Sequence, residues 1–421
     1  MAFKDLRGFI LTLESLGELS RIKEEVDWRY EIAGWTRYSY DMKPSGPALL
    51  LENIKDYEPG YRILTGGLGS YRRVAIALNL NPDTSIRKIV DVYKDRVAKP
   101  IPPVMVSDGP VKENIHLGKD VNVLEFPVPW WTPRDGGRYI GTWHCNVTKN
   151  PTTGIRNLGV YRMQVYDNKR VGIGFSPNSD MGIHYSQKER LNESLEMAVV
   201  IGADETLVLA ASTGVPENVD EYGIAGALKE EPVELVKCET IDLEVPANAE
   251  IVIEGKVLPH KRKLEGPFGE YTGYHNKNAT MYPVFEVTGV THRDNAIFRG
   301  MLSGKPIVED HIIFSILAGA NLLNLRGGRV KSIIQHLIFK YRLFPYFYWL
   351  YPYTKVWLGY WPPLCVPPKE ILELVELKWR KTIDGQVVDE QRIVKLTKDI
   401  NDKLRKDWED LGKKFGASRR R

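Results

Sequence analysis

The run Arg156-Asn-Leu-Gly-Val-Tyr-Arg-Met-Gln-Val-Tyr166, followed after a short polar turn by Val171-Gly-Ile-Gly-Phe175, is rich in β-branched and aromatic residues and punctuated by glycine. Such side chains pack well on a pleated surface, so the stretch reads as extended chain. Similar β-rich runs occupy residues 233–238, 250–257 and 282–291, with turn residues between them. Arg293-Asp-Asn295 reads as a hairpin loop returning through residues 296–299, and residues 192–201 read as a helix that interrupts the strands. Many short strands in series imply a β-barrel or sandwich with inserted helices. No internal repeat is present.

Working outward toward the N-terminus, Asp5 precedes apolar Leu6, Phe9, Ile10, Leu13 and Leu16, the pattern of a capped amphipathic helix that Gly17 ends. Residues 48–51 and 61–65 then suggest strands of a small α/β unit. Lys99-Pro-Ile-Pro-Pro103 cannot be helical and marks its boundary. Beyond residue 305 the character changes again: 12 of the 23 positions from 339 to 361 are Phe, Tyr or Trp. These rings read as a subunit interface; a compact mini-core or a membrane surface are the alternatives, and Pro345, Pro352 and Pro362 break any clean amphipathic pattern. The last segment is helical and charged, with Leu372, Val375, Leu396, Ile400 and Leu404 as packing positions. The expected organisation is an N-terminal α/β domain (1–105), a β-rich domain (106–305), an aromatic connecting or interface segment (306–368) and a charged helical tail (369–421).

Composition narrows the function. The 421 residues are 43% hydrophobic and 27% charged, as in ordinary globular proteins. Three distant cysteines offer neither a disulfide framework nor a zinc-finger spacing. The charged start and the lack of an apolar run of about 18 residues lead us to expect a cytoplasmic protein with no transmembrane segment. Residues 369–421 hold 15 Lys+Arg against 11 Asp+Glu, an excess equal to the +4 of the whole chain. The body is therefore neutral, which argues against nucleic-acid binding.

Three clusters carry chemistry. Glu265-Gly-Pro-Phe-Gly-Glu270 sets two carboxylates on either side of a turn in which proline restricts and glycine frees the backbone. Facing one cavity, such a pair can keep one proton at neutral pH; spacing alone favours the plainer reading, a solvated turn with two unrelated surface glutamates. Arg162 interrupts an apolar strand and, if inward, needs Glu265 or Glu270 as partner; on an edge strand it would lie in water. Strict alternation puts Arg162 and Asn157 on opposite faces, so both serve one pocket only if the strand bends, for which Gly159 is the natural place. Asn157 and Glu221 are hard oxygen ligands suited to Mg²⁺ or Mn²⁺, although Glu221 in Asp220-Glu-Tyr-Gly-Ile-Ala-Gly226 also reads as a helix start. Gly66-Gly-Leu-Gly69 lacks the lysine of a phosphate loop and reads as a turn. His144, His184 and His275 have no evident nucleophile to serve.

The order Asn157…Arg162, Glu221, Val236-Lys-Cys238 with Asp242-Leu-Glu-Val-Pro246, and Glu265-Gly-Pro-Phe-Gly-Glu270 resembles the UbiD family of prenylated-FMN-dependent decarboxylases and carboxylases over about residues 1–310. The resemblance implies a split β-barrel of flavin-reductase type behind an N-terminal α/β domain. It implies an Arg162–Glu265 ion pair near the flavin and Glu270 as proton donor. Val160, Tyr161, Arg162, Gly174, Phe175, Ser176, Ser179, Asp180 and Glu221 would line the cofactor. Asn157, Glu221 and Asn178 would hold Mn²⁺ or Mg²⁺, and the resemblance admits K⁺ as a further ion. The substrate would be an aromatic or α,β-unsaturated carboxylic acid exchanging CO₂, with a flavin prenyltransferase supplying the cofactor.

Two departures stand out. Members often place a histidine ligand where this chain has Pro177-Asn-Ser-Asp180. Beyond Gly304-Lys-Pro306 the sequence is short for the family's C-terminal domain, which leads us to expect a homo-oligomer or a hetero-oligomer with a second UbiD-like subunit. The alternative is a non-catalytic scaffold or regulatory subunit of such a complex.

Overall fold

A computed structural model describes residues 3–42, 46–276, 278–305, 307–324 and 365–415. The aromatic stretch at 339–361 lies outside them. Helix α1 (Leu6–Ser15) starts where Asp5 accepts a hydrogen bond from the Gly8 amide, and Gly17 ends it in the left-handed region (φ +69°). After it come β1 (Leu19–Val26), α2 (Glu31–Asp41), β2 (Ala48–Ile54), β3 (Arg62–Thr65), α3 (Tyr71–Ala77) and α4 (Ile86–Val97).

The first sheet runs β1-β2-β3 and takes its fourth strand from far along the chain: β16 (Ile297–Arg299) lies parallel to β3. The expected hairpin at 293–295 is thus corrected. Asn295 does turn the chain (φ +53°), but the end of the preceding strand already has a partner on each side, so the chain must cross to another sheet.

That preceding strand belongs to a nine-stranded sheet that curls into a half-barrel, antiparallel throughout. Its members are β5 (Asn114–Leu117), β6 (Tyr139–Gly141), β7 (His144–Lys149), β8 (Arg156–Gly159), β9 (Met163–Val165), β10 (Arg170–Ile173), β11 (Leu195–Ile201), β14 (Ile251–Glu265) and β15 (Thr280–His292). A small third sheet joins β4 (Val104–Met105), β12 (Glu234–Lys237) and β13 (Glu244–Pro246). Helices α5 (Asp180–Arg190), α6 (Glu205–Ala211) and α7 (Glu221–Lys229) are inserted between strands.

Residues 195–201 are strand, not the helix expected there. Met197 to Ile201 are wholly buried, and β11 pairs with β14 on one side and β7 on the other. A central strand reads as an unbroken apolar run, which periodicity alone does not separate from a buried helix. The single strand expected at 156–166 is two: β8 stops at Gly159 and β9 starts at Met163, so residues 160–162 leave the ladder.

Helix α8 (Glu309–Asn324) is tied in by a buried charge cluster. Arg299 pairs with Glu205 at 2.7 Å and with Glu309, while Trp143 Nε1 donates to Glu205 at 2.6 Å. The tail is helical as expected, at Lys369–Thr382 and Glu390–Phe415. Its inward residues are Ile371, Leu374, Val375, Trp379, Leu396, Ile400 and Leu404; Leu372 is only partly buried. Trp379 packs on Trp35 of α2, ring centroids 5.8 Å apart. Among the described residues no helix is long and apolar enough to cross a membrane.

Candidate active site

The break between β8 and β9 shapes the site. Where residues 160–162 leave the ladder, the Tyr161 amide is caught by the Asn146 side chain at 3.1 Å and the Arg162 carbonyl by the Gly174 amide at 3.0 Å. This brings Arg162 against the loop joining β14 to β15. Glu265 is the last residue of β14 and is buried; Glu270 lies in the loop itself and is about a quarter exposed, its side chain at 27%.

Arg162 joins the two carboxylates. Its Nε and Nη2 donate to the two oxygens of Glu265 at 2.9 and 2.8 Å, and Nη1 donates to Glu270 Oε1 at 2.7 Å. Burial works against the guanidinium charge, but the bonds and charge of Glu265 outweigh it and hold the group above its ordinary pKa. The Tyr139 hydroxyl adds a third hydrogen bond to Glu265 at 2.8 Å, and burial beside that carboxylate pushes the phenol well up, so it remains a donor. Asn276 donates to Glu270 Oε1 at 3.0 Å.

The loop is pinned from below. Gln164 accepts from the Gly266 amide and donates to the Gly136 carbonyl, each at 2.7 Å, and Asp135 accepts from the Gly269 amide at 3.0 Å. Phe268 packs on the Tyr139 ring at 4.3 Å. Gly136 is required here, because a Cβ would sit 2.2 Å from the Gly266 carbonyl oxygen. Gln164, like Arg162, interrupts an apolar strand in the sequence but had no role assigned, and Tyr139 and Asn276 were not singled out; their roles appear only when distant strands meet.

A second cluster forms where β8 meets the start of α7. Glu221 accepts from the Leu158 amide at 3.0 Å and from Asn157 Nδ2 at 3.2 Å, and burial pushes its carboxyl up to about 7. Asn157 Nδ2 also lies 3.4 Å from Asp180, while Asn157 Oδ1 is buried with no hydrogen-bond partner. An unsatisfied amide oxygen beside a carboxylate in a dry site suits a hard divalent cation. Asp180 is the carboxylate brought beside Asn157; Asn178 is exposed. His184 is buried and bonds Thr148 at 3.0 Å.

The remaining expected cofactor residues line the approach to α5. Val160 is half-buried against the core, and Tyr161 meets Phe175 edge to face at 6.2 Å. Gly174 lies against Arg162, Ser176 is exposed, and Ser179 caps α5 by accepting from the Gly182 amide.

Two family models match, described as the 3-octaprenyl-4-hydroxybenzoate carboxy-lyase N-terminal domain (residues 10–93) and its Rift-related domain (residues 104–306). The chain belongs to the UbiD family. The pyrrole-2-carboxylic acid decarboxylase of Pseudomonas aeruginosa, a UbiD relative, is 36% identical over 329 residues, which are 76% of this chain and 66% of the relative. The closed form of Sedimentibacter hydroxybenzoicus vanillic acid decarboxylase superposes with a TM-score of 0.73 at 34% identity, covering 76% of this chain and 69% of that one. An evolved dimeric form of the UbiD-class enzyme HmfF of Pelotomaculum thermopropionicum, solved with prFMN, gives 0.70 at 35% identity and covers 76% and 72%. The chain thus spans 66% of the length of the curated relatives it matches.

Proposed function

We propose that this chain is a prenylated-FMN-dependent decarboxylase, reversible toward carboxylation, of an aromatic or α,β-unsaturated carboxylic acid, working within an oligomer. The observation that carries the reading is the Arg162 bridge between buried Glu265 and partly open Glu270. The half-barrel is read as the family's split barrel of flavin-reductase type. Asn157, Glu221 and Asp180 would hold Mn²⁺ or Mg²⁺, and the first amides of α5 would favour an anionic group of the cofactor. Val160, Tyr161, Gly174, Phe175, Ser176 and Ser179 would border the ring and its tail.

Losing CO₂ from an sp² carbon leaves an electron pair with no place to delocalise, and prenylated FMN supplies the electron sink when bound. The protein's part is positioning and proton transfer. Glu265 accepts three hydrogen bonds and is committed as an acceptor, fixing Arg162. Glu270 takes its hydrogen bonds from Arg162 and Asn276 on Oε1, which leaves Oε2 to carry a proton. As the carbon–carbon bond breaks and CO₂ departs, that proton passes to the carbon, and water restores it afterwards.

The test is co-expression with a flavin prenyltransferase and purification without oxygen, followed by mass analysis of the released cofactor and assay of candidate acids. Glu270→Gln should retain cofactor and lower turnover about 10²–10⁴-fold, the usual worth of a positioned acid. Unchanged turnover of a reconstituted complex would leave this chain a scaffold for a catalytic partner.

A further inference from the structure

At the end of β15 away from Glu265, three side chains with metal-binding atoms meet. His116 comes from β5, Glu125 from the 3-10 turn Val123–Glu125, and His292 is the last residue of β15. Their ligand atoms all lie within 4.8 Å of one another. His116 Nδ1 is 3.0 Å from Glu125 Oε2, and His292 Nε2 is 3.9 Å from Glu125 Oε1.

The protonation of His292 follows from its neighbours. Its Nδ1 lies 2.9 Å from the Arg293 carbonyl oxygen, which can only accept, so Nδ1 carries the proton. With the Nδ1 proton committed to that carbonyl, Nε2 is the atom of the ring left to offer a lone pair, and the residue is only 6% exposed. That nitrogen is buried with no hydrogen-bond partner and faces a carboxylate oxygen. A lone pair and a carboxylate oxygen opposed in this way repel unless a cation lies between them. The Phe126 ring packs against the imidazole edge to face, centroids 5.3 Å apart, and helps to keep it in place.

We propose that His116, Glu125 and His292 bind one divalent transition-metal ion of the Zn²⁺ class, separate from the Asn157–Glu221 site. Two imidazole nitrogens and one carboxylate suit Zn²⁺ or Co²⁺ rather than Mg²⁺, whose preference is for oxygen. A carbonyl holding the far ring N–H is the usual outer support of a ligating histidine. Tetrahedral bonds of about 2.0–2.1 Å require ligand atoms about 3.3 Å apart, so binding asks for only small side-chain rotations. His116 is one-third exposed, which leaves an entry path and a fourth position for water. The ion would clip β5 and the 3-10 turn to β15 just before the chain crosses to β16.

The experiment uses the full chain without a histidine tag, stripped by chelator and titrated with Co²⁺ alone. One equivalent should develop the intense visible bands of a tetrahedral ion, which Zn²⁺ but not Mg²⁺ abolishes, and Zn²⁺ should raise Tm. His116→Asn and Glu125→Gln should lose both responses while their metal-free Tm matches that of the stripped parent, which separates a lost ligand from a lost fold. Glu221→Gln should keep both. Absence of the bands, their persistence in His116→Asn and Glu125→Gln, or their loss in Glu221→Gln would overturn the assignment.

Discussion

Arg162 uses its whole fork, with Nε and Nη2 on Glu265 and Nη1 on Glu270. Lysine keeps the charge but has one nitrogen where three directed donors are used. We therefore expect Arg162→Lys to fold, to bind flavin and to lose about 10²-fold in kcat, the scale of an ångström-sized misplacement; turnover per bound flavin measures this. Arg299 offers a contrasting case in which the fork serves stability. Both its partners are buried, so Glu205→Ala leaves a buried charge under-compensated and should cost about 3–5 kcal/mol in urea unfolding. Arg162, Glu265 and Glu270 were legible in the chain because two lie in one short motif and the third interrupts an apolar run. His116, Glu125 and His292 were not, since they come from three separate segments with no ligand spacing to notice.

β14 and β15 form the spine of the curled sheet, and a bulge at Glu254/Gly255 bends it. A Cβ on Gly255 would stand 2.1 Å from the Glu286 carbonyl oxygen, a backbone atom held by the ladder. Gly255→Ala should therefore cost about 1–3 kcal/mol, seen as a lower urea midpoint with an unchanged slope. Gly159 differs, because the atoms nearest its added Cβ are those of the Tyr161 side chain, from 2.4 Å, and not backbone. Gly159→Ala should keep the urea midpoint and lower flavin occupancy as Tyr161 is displaced. Element type was readable where a cap or a turn residue marks the ends, as Asp5 and Gly17 do for α1. It failed at β11, whose buried residues carry no alternation. The break at residues 160–162 was foreseen only as a bend at Gly159, since the side chain that stops the ladder, Asn146, lies on another strand.

Across the molecule, the tail helix Lys369–Thr382 rests on α2, where Trp379 contacts Trp35 and Tyr38, and Ile371 and Val375 crowd Gly34. Trp379→Ala should cost about 3–5 kcal/mol and loosen the tail, read as faster amide exchange in α2 and in both tail helices. Helices and strands of the N-terminal α/β unit were legible from their local pattern, but the fourth strand of its sheet was not, because β3 and β16 are partners only in space. Arg62 donates to the Asn295 carbonyl across 233 residues of chain, and β16 follows immediately. Synthesis runs from the N-terminus, so β3 leaves the ribosome with one edge unsatisfied and keeps it while the whole half-barrel is being made. A strand made before the half-barrel is thus completed only after it, and a nascent chain arrested before residue 297 should expose that edge to a chaperone or a protease.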